Sequence, residues 1–401
     1  MINPTERSAN IEYAIRDVLI PALKLEEQGR TILKLNIGDP IAFDFETPPH
    51  MVEAYCRALR DGHNGYSDSQ GYKPLISSIV EHERKKYGTE LDPSKVLVTA
   101  GISEALVFLF GALLEQGDEI LVPGPSYPPY TTLVKFMGGV ARTYRTDENN
   151  GWQPDIDDLR AKITNRTKAI AIINPNNPTG SAYTRQVLAP IIDLAAEHKL
   201  PIISDEIYDG LVYDLPHTSP LALSEEVPMV LLNGFSKVYM VPGWRVGYMA
   251  FRDTEGRLDG LYDGCIRQAR VRLSTNHPAQ VASLAALEGP QEHIEENRRK
   301  LMERRDIISR RVNAIDGLSV ARPEGAFYAF PRIDIERGPW KNDKAFVLDM
   351  LETAGVLCVH GSGFCEDFGK DHFRVVFLAP PAELERACDA IEDFMATRLR
   401  D

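Results

Sequence analysis

The sequence AIAIINPNNPTG at residues 169–180 joins an apolar run to a loop fixed by prolines and a glycine. Residues 169–173 are apolar throughout and rich in isoleucine, which predicts a strand buried on both faces. In the loop that follows, Asn177 offers a rigid amide that can donate a hydrogen bond to an oxygen. A seven-residue run of this type is seldom only a turn, so it is a candidate binding loop at a strand end.

Similar apolar runs recur on both sides of this stretch and alternate with helical patterns. Strands are predicted at residues 96–99, 119–122, 169–173, 202–204, 229–233 and 247–251, and helices between them include 103–115 and 185–198. Such alternation predicts βαβ units and a mainly parallel sheet covered on both faces.

The pattern changes toward the carboxyl terminus. Helices are predicted at residues 291–312, 344–353 and from about 381, and strands at 327–330 and 372–378, which together indicate a smaller α+β domain. The N-terminal segment, helical over 11–27 and strand-like at 33–37, has no evident place in the large sheet. We expect it to pack on the small domain or to cross the site.

Composition narrows the class of protein. The chain has 401 residues, more than the roughly 250–300 at which single cores stop growing, so two domains are expected. Its 58 Asp and Glu against 45 Lys and Arg argue against nucleic acid or an anionic membrane as the main partner. Five scattered cysteines without a C-x-x-C predict neither a disulfide framework nor a zinc site, and favour a cytoplasmic protein. Neither a signal peptide nor a membrane span is expected.

Two candidate sites follow the first two strands, where ligands of open α/β sheets gather. In TAGISE at residues 99–104, Gly101 permits a tight turn and Ser103 can cap the following helix, which suits an anion such as phosphate. Tyr127, held between prolines at 125 and 128, can stack on a planar ring. Taken separately, the first is more simply explained as an ordinary capped helix and the second as an ordinary packed tyrosine.

Three charged residues are placed where charge is unusual. Asp205 ends a buried strand and needs either a cationic partner or a capping role. Lys237 follows Ser236 after another apolar strand, with Arg245 beyond it, and its amine can form a Schiff base with an aldehyde. Arg374 lies inside an apolar strand, where a bidentate carboxylate or a structural ion pair would satisfy it.

Taken together, these motifs resemble the fold-type I aminotransferases of class I/II, enzymes that use pyridoxal 5'-phosphate (PLP). The NPNNPTG loop and the segment SKVYMVPGWR at residues 236–245 carry the resemblance, which extends from about residue 35 to 378. It implies a large domain with a mostly parallel seven-stranded sheet and a smaller α+β domain. The implied division is an N-terminal segment (1–45) over the active site, a PLP-binding domain (46–290) and a small domain (291–401).

The resemblance also implies roles at the cofactor ring. Lys237 corresponds to the lysine that carries the cofactor and moves the α-proton of the substrate. Asp205 corresponds to the partner of the ring nitrogen, Asn177 and Tyr208 to donors to the 3'-oxygen, and Tyr127 to the stacking aromatic.

A second group of positions corresponds to the phosphate cup of the family. It comprises the backbone near Gly101, Ile102 and Ser103 together with Ser236 and Arg245.

The remaining implied roles concern the substrate and the partner subunit. Arg374 corresponds to the clamp on the α-carboxylate, assisted by Asn177, and Gly38 to the glycine that approaches this carboxylate. Tyr66 resembles the tyrosine that reaches the cofactor phosphate of the neighbouring subunit, which implies a homodimer with shared sites.

Within the family, the chain resembles the alanine (glutamate–pyruvate) transaminases of bacteria and archaea, through residues 35–38, 172–180 and 205–209. Tyr13 and Arg16 resemble their N-terminal segment, so Arg16 would meet the second carboxylate of glutamate; a solvated helix arginine is the simpler reading. The related aspartate transaminases bind the side-chain carboxylate of their substrate with a different arginine. Arg267, Arg270 and Arg272 are the candidates for that role, so this alternative stays open.

Other functions stay open on the sequence alone. An aspartate, aromatic or broad-specificity aminotransferase, or a carbon–sulfur lyase or cyclase on the same fold, would share these motifs. A regulatory module is disfavoured because the full set of lysine, aspartate and arginine is present. A nicotinamide site is disfavoured because VHGSGF at residues 359–364 lacks the complete G-x-G-x-x-G.

Overall fold

The computed structural model of the protein describes residues 2–9, 11 and 13–399. Glu12 of the predicted N-terminal helix and residues 1, 10, 400 and 401 of the implied domains lie outside the described residues. The α-helices of the described chain are α1 (Glu6–Ala9), α2 (Ala14–Asp17), α3 (Leu19–Glu27), α4 (Pro49–Arg60), α5 (Lys73–Tyr87), α6 (Ile102–Leu113), α7 (Pro129–Phe136), α8 (Ile156–Lys162), α9 (Arg185–His198), α10 (Asp259–Arg272), α11 (His277–Glu288), α12 (Glu292–Ala314), α13 (Asp343–Ala354) and α14 (Pro381–Arg398).

The strands of the described chain are β1 (Leu33–Lys34), β2 (Val96–Thr99), β3 (Glu119–Gly124), β4 (Val140–Asp147), β5 (Gln153–Pro154), β6 (Thr167–Ile173), β7 (Ile202–Asp205), β8 (Met229–Gly234), β9 (Gly247–Arg252), β10 (Leu318–Ser319), β11 (Tyr328–Ala329), β12 (Arg332–Ile333), β13 (Val356–Leu357), β14 (Val359–His360) and β15 (Phe373–Val376).

The large sheet has the strand order β2-β9-β8-β7-β6-β3-β4-β5. Its central pairs, from β8 through β7, β6 and β3 to β4, are parallel, whereas β9 runs antiparallel to both of its neighbours. The six strands predicted from apolar runs are all present in this sheet. A strand at β4 completes seven longer strands, and the two-residue strand β5 adds an eighth at the edge.

Alternation of side chains along the central strands explains why the sheet has two cores. In β6, Ile170 and Ile172 belong to one buried cluster, whereas Ala169, Ala171 and Ile173 belong to the other. Helix α9 contributes to the first cluster and the apolar helix α6 to the second. Full burial of an isoleucine side chain contributes about 1.5–3 kcal/mol, so a run of such residues fixes the register of the strand.

The topology of the large sheet changes direction between β3 and β6. After β3 the chain continues to β4 on one side, while β6, β7 and β8 follow in order on the other side. A crevice outside the carboxyl ends of the strands forms at such a point. The loops after β2, β3, β6, β7 and β8 all open toward this edge.

The C-terminal part of the chain forms its own antiparallel sheet, in the order β11-β15-β14. The N-terminal segment joins this part of the molecule: β1 pairs in parallel with β13, with Leu33 opposite Val356. Residues Ala14, Ile15 and Val18 share a buried cluster with Phe330 and Phe364. The chain that leads to Gly38 is therefore anchored on the small sheet.

Two local predictions were wrong. The single helix predicted at 11–27 is divided at Val18, which separates α2 from α3. Ser103 does not cap α6: the N-cap is Gly101, whose φ of 76° is strained for any residue with a Cβ, and Ser103 lies inside the helix. In the described chain, no helix is both long enough and apolar enough to cross a membrane.

Candidate active site

A cavity of about 490 Å³ lies at the carboxyl edge of the large sheet, where the small sheet and the N-terminal segment meet it. Its volume falls within the range of roughly 300–1,000 Å³ that is common for small-molecule sites. Most residues singled out in the sequence line it together: Tyr13, Arg16, Gly38, Ile102, Ser103, Tyr127, Asn177, Asp205, Tyr208, Ser236, Lys237, Arg245 and Arg374.

Lys237 enters the cavity from the loop that follows β8. Its Nζ donates a hydrogen bond to the carbonyl oxygen of Gly38 at 2.7 Å. Removal of the amine from water lowers the pKa of Lys237 to about 8; nearby Asp39 opposes this shift, and the charge of Arg374 adds to it. About a tenth of the amine is therefore neutral and nucleophilic at pH 7, far more than for an ordinary lysine.

Asp205 lies at the end of β7, fully enclosed at the floor of the cavity. Its two hydrogen-bond donors are both neutral: the Tyr130 hydroxyl reaches Oδ2 at 2.8 Å and the Ile207 N–H reaches Oδ1 at 3.2 Å. Burial raises the pKa of Asp205 to about 7 despite these two donors. A buried carboxylate in this state favours a cationic ligand group, because such a partner restores its charged form.

One end of the cavity is built for an anion. The amino terminus of α6 directs free N–H groups of Ile102 and Ser103 toward the space that Ser236 and Arg245 also line. Arg245 donates to the carbonyl oxygens of Pro242 and Ala100 at 3.0 and 3.2 Å, and its side chain is exposed to the cavity. A Cβ at Gly101 would lie 2.6 Å from Arg245 Nη2, and the φ of 76° at this position favours glycine independently.

The opposite end holds Arg374, which is 1% exposed. Its Nη1 donates to Asn177 Oδ1 at 3.0 Å and its Nη2 to the carbonyl oxygen of Asn36. Burial lowers the pKa of Arg374, which nevertheless remains a cation under all ordinary conditions. With its oxygen engaged by Arg374, the Asn177 amide presents its NH₂ group as the donor for a ligand.

Tyr127, which follows β3, meets the N-terminal segment across the cavity. Its hydroxyl lies 3.3 Å from the hydroxyl of Tyr13, directly before α2. Arg16, one turn further on, is exposed and lines the same cavity. Ile15 belongs to the same buried cluster as Phe330 and Phe364, which anchors this segment beside the cavity that it lines.

Some predicted residues lie away from this cavity. Tyr66 is 80% exposed on the surface of its own chain and is absent from the cavity lining in the described part of the molecule. Arg267 and Arg270 are exposed on α10, also outside the lining. Arg272 donates to Glu104 Oε2 and to the carbonyl oxygen of Ser69, both at 3.0 Å, and therefore serves a structural role.

The structure also shows cavity residues that sequence reasoning missed. Tyr328, Asp39 and Ile37 line the cavity, and Tyr130 supports Asp205 from beneath. Asp39 directly follows Gly38 in a motif already singled out, so its place in the sequence could have predicted that it lines the cavity. Tyr328 and Tyr130 lie in an ordinary apolar strand and helix, where one sequence gives no sign of which aromatic faces a ligand.

The donor set of the cavity fits PLP. An amine with a lowered pKa suits the aldehyde, Asp205 suits a protonated ring nitrogen, and the cradle at Gly101 and Arg245 suits the phosphate. The Arg374 guanidinium remains for a carboxylate that binds beside the ring.

This chain belongs to the class I and II aminotransferases, because the model of the family described as "Aminotransferase class I and II" matches residues 30–391. Enzymes of this family depend on PLP and exchange amino groups. The match confirms the family and fold class predicted from the sequence.

Individual relatives share nearly the whole chain. The glutamate-pyruvate aminotransferase AlaA of Escherichia coli K12 is 38% identical over 98% of this chain and 99% of its own. The structure of the alanine aminotransferase from Pyrococcus furiosus is 54% identical, with a TM-score of 0.97 over 99% of this chain and all of its own. The aspartate aminotransferase from Thermus thermophilus with maleate is 32% identical, with a TM-score of 0.89 over 98% and 100% of the two chains.

The lowered pKa of Lys237 makes a prediction about the cofactor-free protein. Only the neutral amine reacts with an acylating reagent, so labelling of Lys237 should rise with pH through a midpoint near 8. Competitive labelling with acetic anhydride, followed by peptide mass spectrometry, measures this midpoint against added Nα-acetyl-lysine, which titrates near the ordinary value of 10.5. A midpoint equal to that of the standard would show that the cavity does not perturb the amine.

Proposed function

We propose that this chain is a PLP-dependent aminotransferase that exchanges the amino group between alanine and 2-oxoglutarate, giving pyruvate and glutamate. The observation that carries the proposal is the convergence of Lys237, Asp205, Arg245 and Arg374 on one cavity. The names of the relatives from Escherichia coli and Pyrococcus furiosus support the choice of alanine and glutamate.

The proposed cofactor sites follow from the two ends of the cavity. Gly101, Ile102, Ser103, Ser236 and Arg245 would hold the phosphate, and Tyr127 would cover one face of the ring. Asn177 and Tyr208 would donate to the 3'-oxygen, while Asp205 would keep the ring nitrogen protonated. Bound in this way, PLP supplies a ring that accepts the electrons released when the α-proton of the substrate leaves.

The chain's own groups perform the proton transfer and orient the substrate. Arg374 would bind the α-carboxylate through its planar fork, with the Asn177 amide beside it. The carboxylate thus fixed presents the α-proton to the Lys237 amine, which would take it up and return it at the neighbouring carbon. Since the donor product leaves before the acceptor binds, we expect ping-pong kinetics.

The cavity wall near the N-terminal segment suits two substrates of different size. Ile15 and Ile37 line it with apolar surface that fits the methyl group of alanine. Arg16 is exposed beside them and can turn toward the second carboxylate of glutamate. An aspartate-type reading receives less support, because Arg267, Arg270 and Arg272 do not line the cavity in the described chain.

Arg16→Ala should therefore separate the two substrates. We expect kcat/KM for glutamate to fall about tenfold, since a charge-assisted hydrogen bond is lost, and that for alanine to change less than about twofold. Steady-state kinetics with each donor measures the difference, and Arg267→Ala, a change at an exposed arginine outside the cavity, is the matched control. Equal losses for glutamate and alanine would remove the proposed role of Arg16.

We further propose a homodimer in which Tyr66 of each chain reaches the cofactor phosphate of the other. The exposure of Tyr66 on its own chain supports this arrangement. We also propose the division into residues 1–45, 46–290 and 291–401, supported by the pairing of β1 with β13. The free state of all five cysteines supports a cytoplasmic location.

A panel of amino donors tests the proposed substrates. With pyruvate or 2-oxoglutarate as acceptor, alanine and glutamate should give the highest kcat/KM. A preference for aspartate or for aromatic donors would contradict the assignment within the family. Release of ammonia and sulfide from cysteine, without formation of an amino acid from the acceptor, would instead indicate a carbon–sulfur lyase.

A further inference from the structure

We propose that Tyr328 is a positioning residue that couples the two halves of the site: its ring supports Arg374 and its hydroxyl orients Tyr208. The inference rests on the proposed function, since it concerns how the substrate clamp and the cofactor-facing phenol are held together. Tyr328 was not among the residues singled out in the sequence.

The position of Tyr328 follows from the small sheet. It lies on β11, opposite Val376 of β15, the strand that also carries Arg374. Its side chain lines the cavity, and the residue is 2% exposed. Backbone pairing thus places the phenol and the guanidinium on neighbouring strands with no intervening loop, so their relative position is rigid.

The ring of Tyr328 contacts the guanidinium of Arg374 directly. The central carbon of the guanidinium lies 4.8 Å from the ring centroid of Tyr328 and 4.9 Å from that of Phe364. A cation near aromatic rings is stabilised by their π-electrons, most strongly where water is excluded. Arg374 Nε has no hydrogen-bond partner within the described structure, so the two rings support the guanidinium beside the bonds that its Nη atoms donate to Asn177 and Asn36.

The hydroxyl of Tyr328 points in the other direction, toward Tyr208. The two hydroxyl oxygens are 2.7 Å apart, and the rings are perpendicular with centroids 5.7 Å apart. A Cβ at Gly38 would collide with Tyr328 Oη, so the absence of a side chain at position 38 is required for the phenol to occupy this place.

The direction of this hydrogen bond follows from the number of protons that the two phenols can donate. Each phenol has a single O–H. If Tyr208 gives its own to the 3'-oxygen of a bound cofactor, as proposed, the bond between the two hydroxyls is donated by Tyr328. The Tyr208 O–H then donates more strongly, because the two bonds are in series.

Two variants separate the ring from the hydroxyl. Tyr328→Phe removes only the hydroxyl and should raise the pH midpoint of the visible absorption band of bound PLP by about half a unit to one unit. Tyr328→Leu also removes the ring and should weaken binding of 2-methylalanine about tenfold. This alanine analogue has no α-proton to lose, and its binding is followed by the change in cofactor absorbance. In Tyr328→Phe, the same affinity should stay within about twofold of the parent.

A matched control is Tyr144→Phe, because the Tyr144 hydroxyl is also buried and donates to the carbonyl oxygen of Ala171 at 2.9 Å, outside the cavity. In Tyr144→Phe, the pH midpoint of the PLP absorption band and the affinity for 2-methylalanine should both equal those of the parent protein. A Tyr328→Phe protein that keeps its fold by circular dichroism and titrates within 0.2 unit of the parent would overturn the inference. Failure of the parent protein to bind PLP would instead refute the proposed function, so the two failures are distinguishable.

Discussion

Lys237→Ala is expected to abolish the visible band that PLP forms with the lysine amine and to reduce transamination by about 10⁴-fold or more. The amine that lies 2.7 Å from the Gly38 carbonyl is the nucleophile of the cavity and the proposed carrier of the α-proton, so one change removes both roles. Absorbance after gel filtration with PLP measures the first effect, and a coupled assay for pyruvate measures the second.

The control for this variant is Lys168→Ala, which removes a lysine whose side chain is 43% exposed and which pairs with Asp118 outside the cavity. Retention of the visible band and of full activity is expected there. Wild-type turnover in Lys237→Ala, with the fold verified by circular dichroism, would end the present account of the site.

Asp205→Asn is expected to weaken PLP binding by roughly 10²- to 10³-fold and to reduce kcat to a similar degree. Loss of one partner of a buried ion pair costs about 3–5 kcal/mol, and each 1.4 kcal/mol is a factor of ten. Asparagine has nearly the same shape as aspartate and can still bond to Tyr130, so the loss reports charge rather than volume. Fluorescence titration of the cofactor-free protein with PLP measures the affinity.

The Asp205 carboxylate should also make the affinity for PLP depend on pH, with weaker binding at lower pH. Since burial raises the pKa of Asp205 to about 7, a growing fraction is protonated as the pH falls below that value, and binding of a cationic ring should weaken. Asp205→Asn should lack this dependence. Glu83→Gln is the control, because this carboxylate is also buried but accepts a hydrogen bond from Tyr248 at 2.6 Å, outside the cavity lining of the described chain. An Asp205→Asn protein with parental affinity would exclude a charged partner for Asp205.

The strands that carry the site were predictable because a strand buried on both faces consists of consecutive apolar residues. The ends of β2 and β7 lie within one residue of their predicted positions. By contrast, β4 escaped prediction, since its sequence VARTYRTD alternates polar residues along a half-exposed strand. Helices α4 and α5 also escaped, because their charged outer faces obscure a narrow apolar stripe.

The site itself was predictable where a residue stands at a strand end inside a distinctive motif. Lys237, Asp205 and Asn177 meet this condition, and the cavity brings them together. Tyr328 does not, because its role depends on the register between β11 and β15, which local sequence does not encode. Ser103 was predicted to cap α6, but the helix begins one residue earlier, so that Gly101, with its positive φ, is the N-cap.

The most direct test of the central claim is a single half-reaction. Alanine is added to the PLP-loaded protein without any 2-oxo acid, and the spectrum and the product are recorded. We predict complete conversion of the cofactor to pyridoxamine phosphate with one equivalent of pyruvate per site, reversed by 2-oxoglutarate with formation of glutamate. An unchanged PLP spectrum, or release of ammonia while PLP persists, would contradict the assignment as an alanine-type aminotransferase.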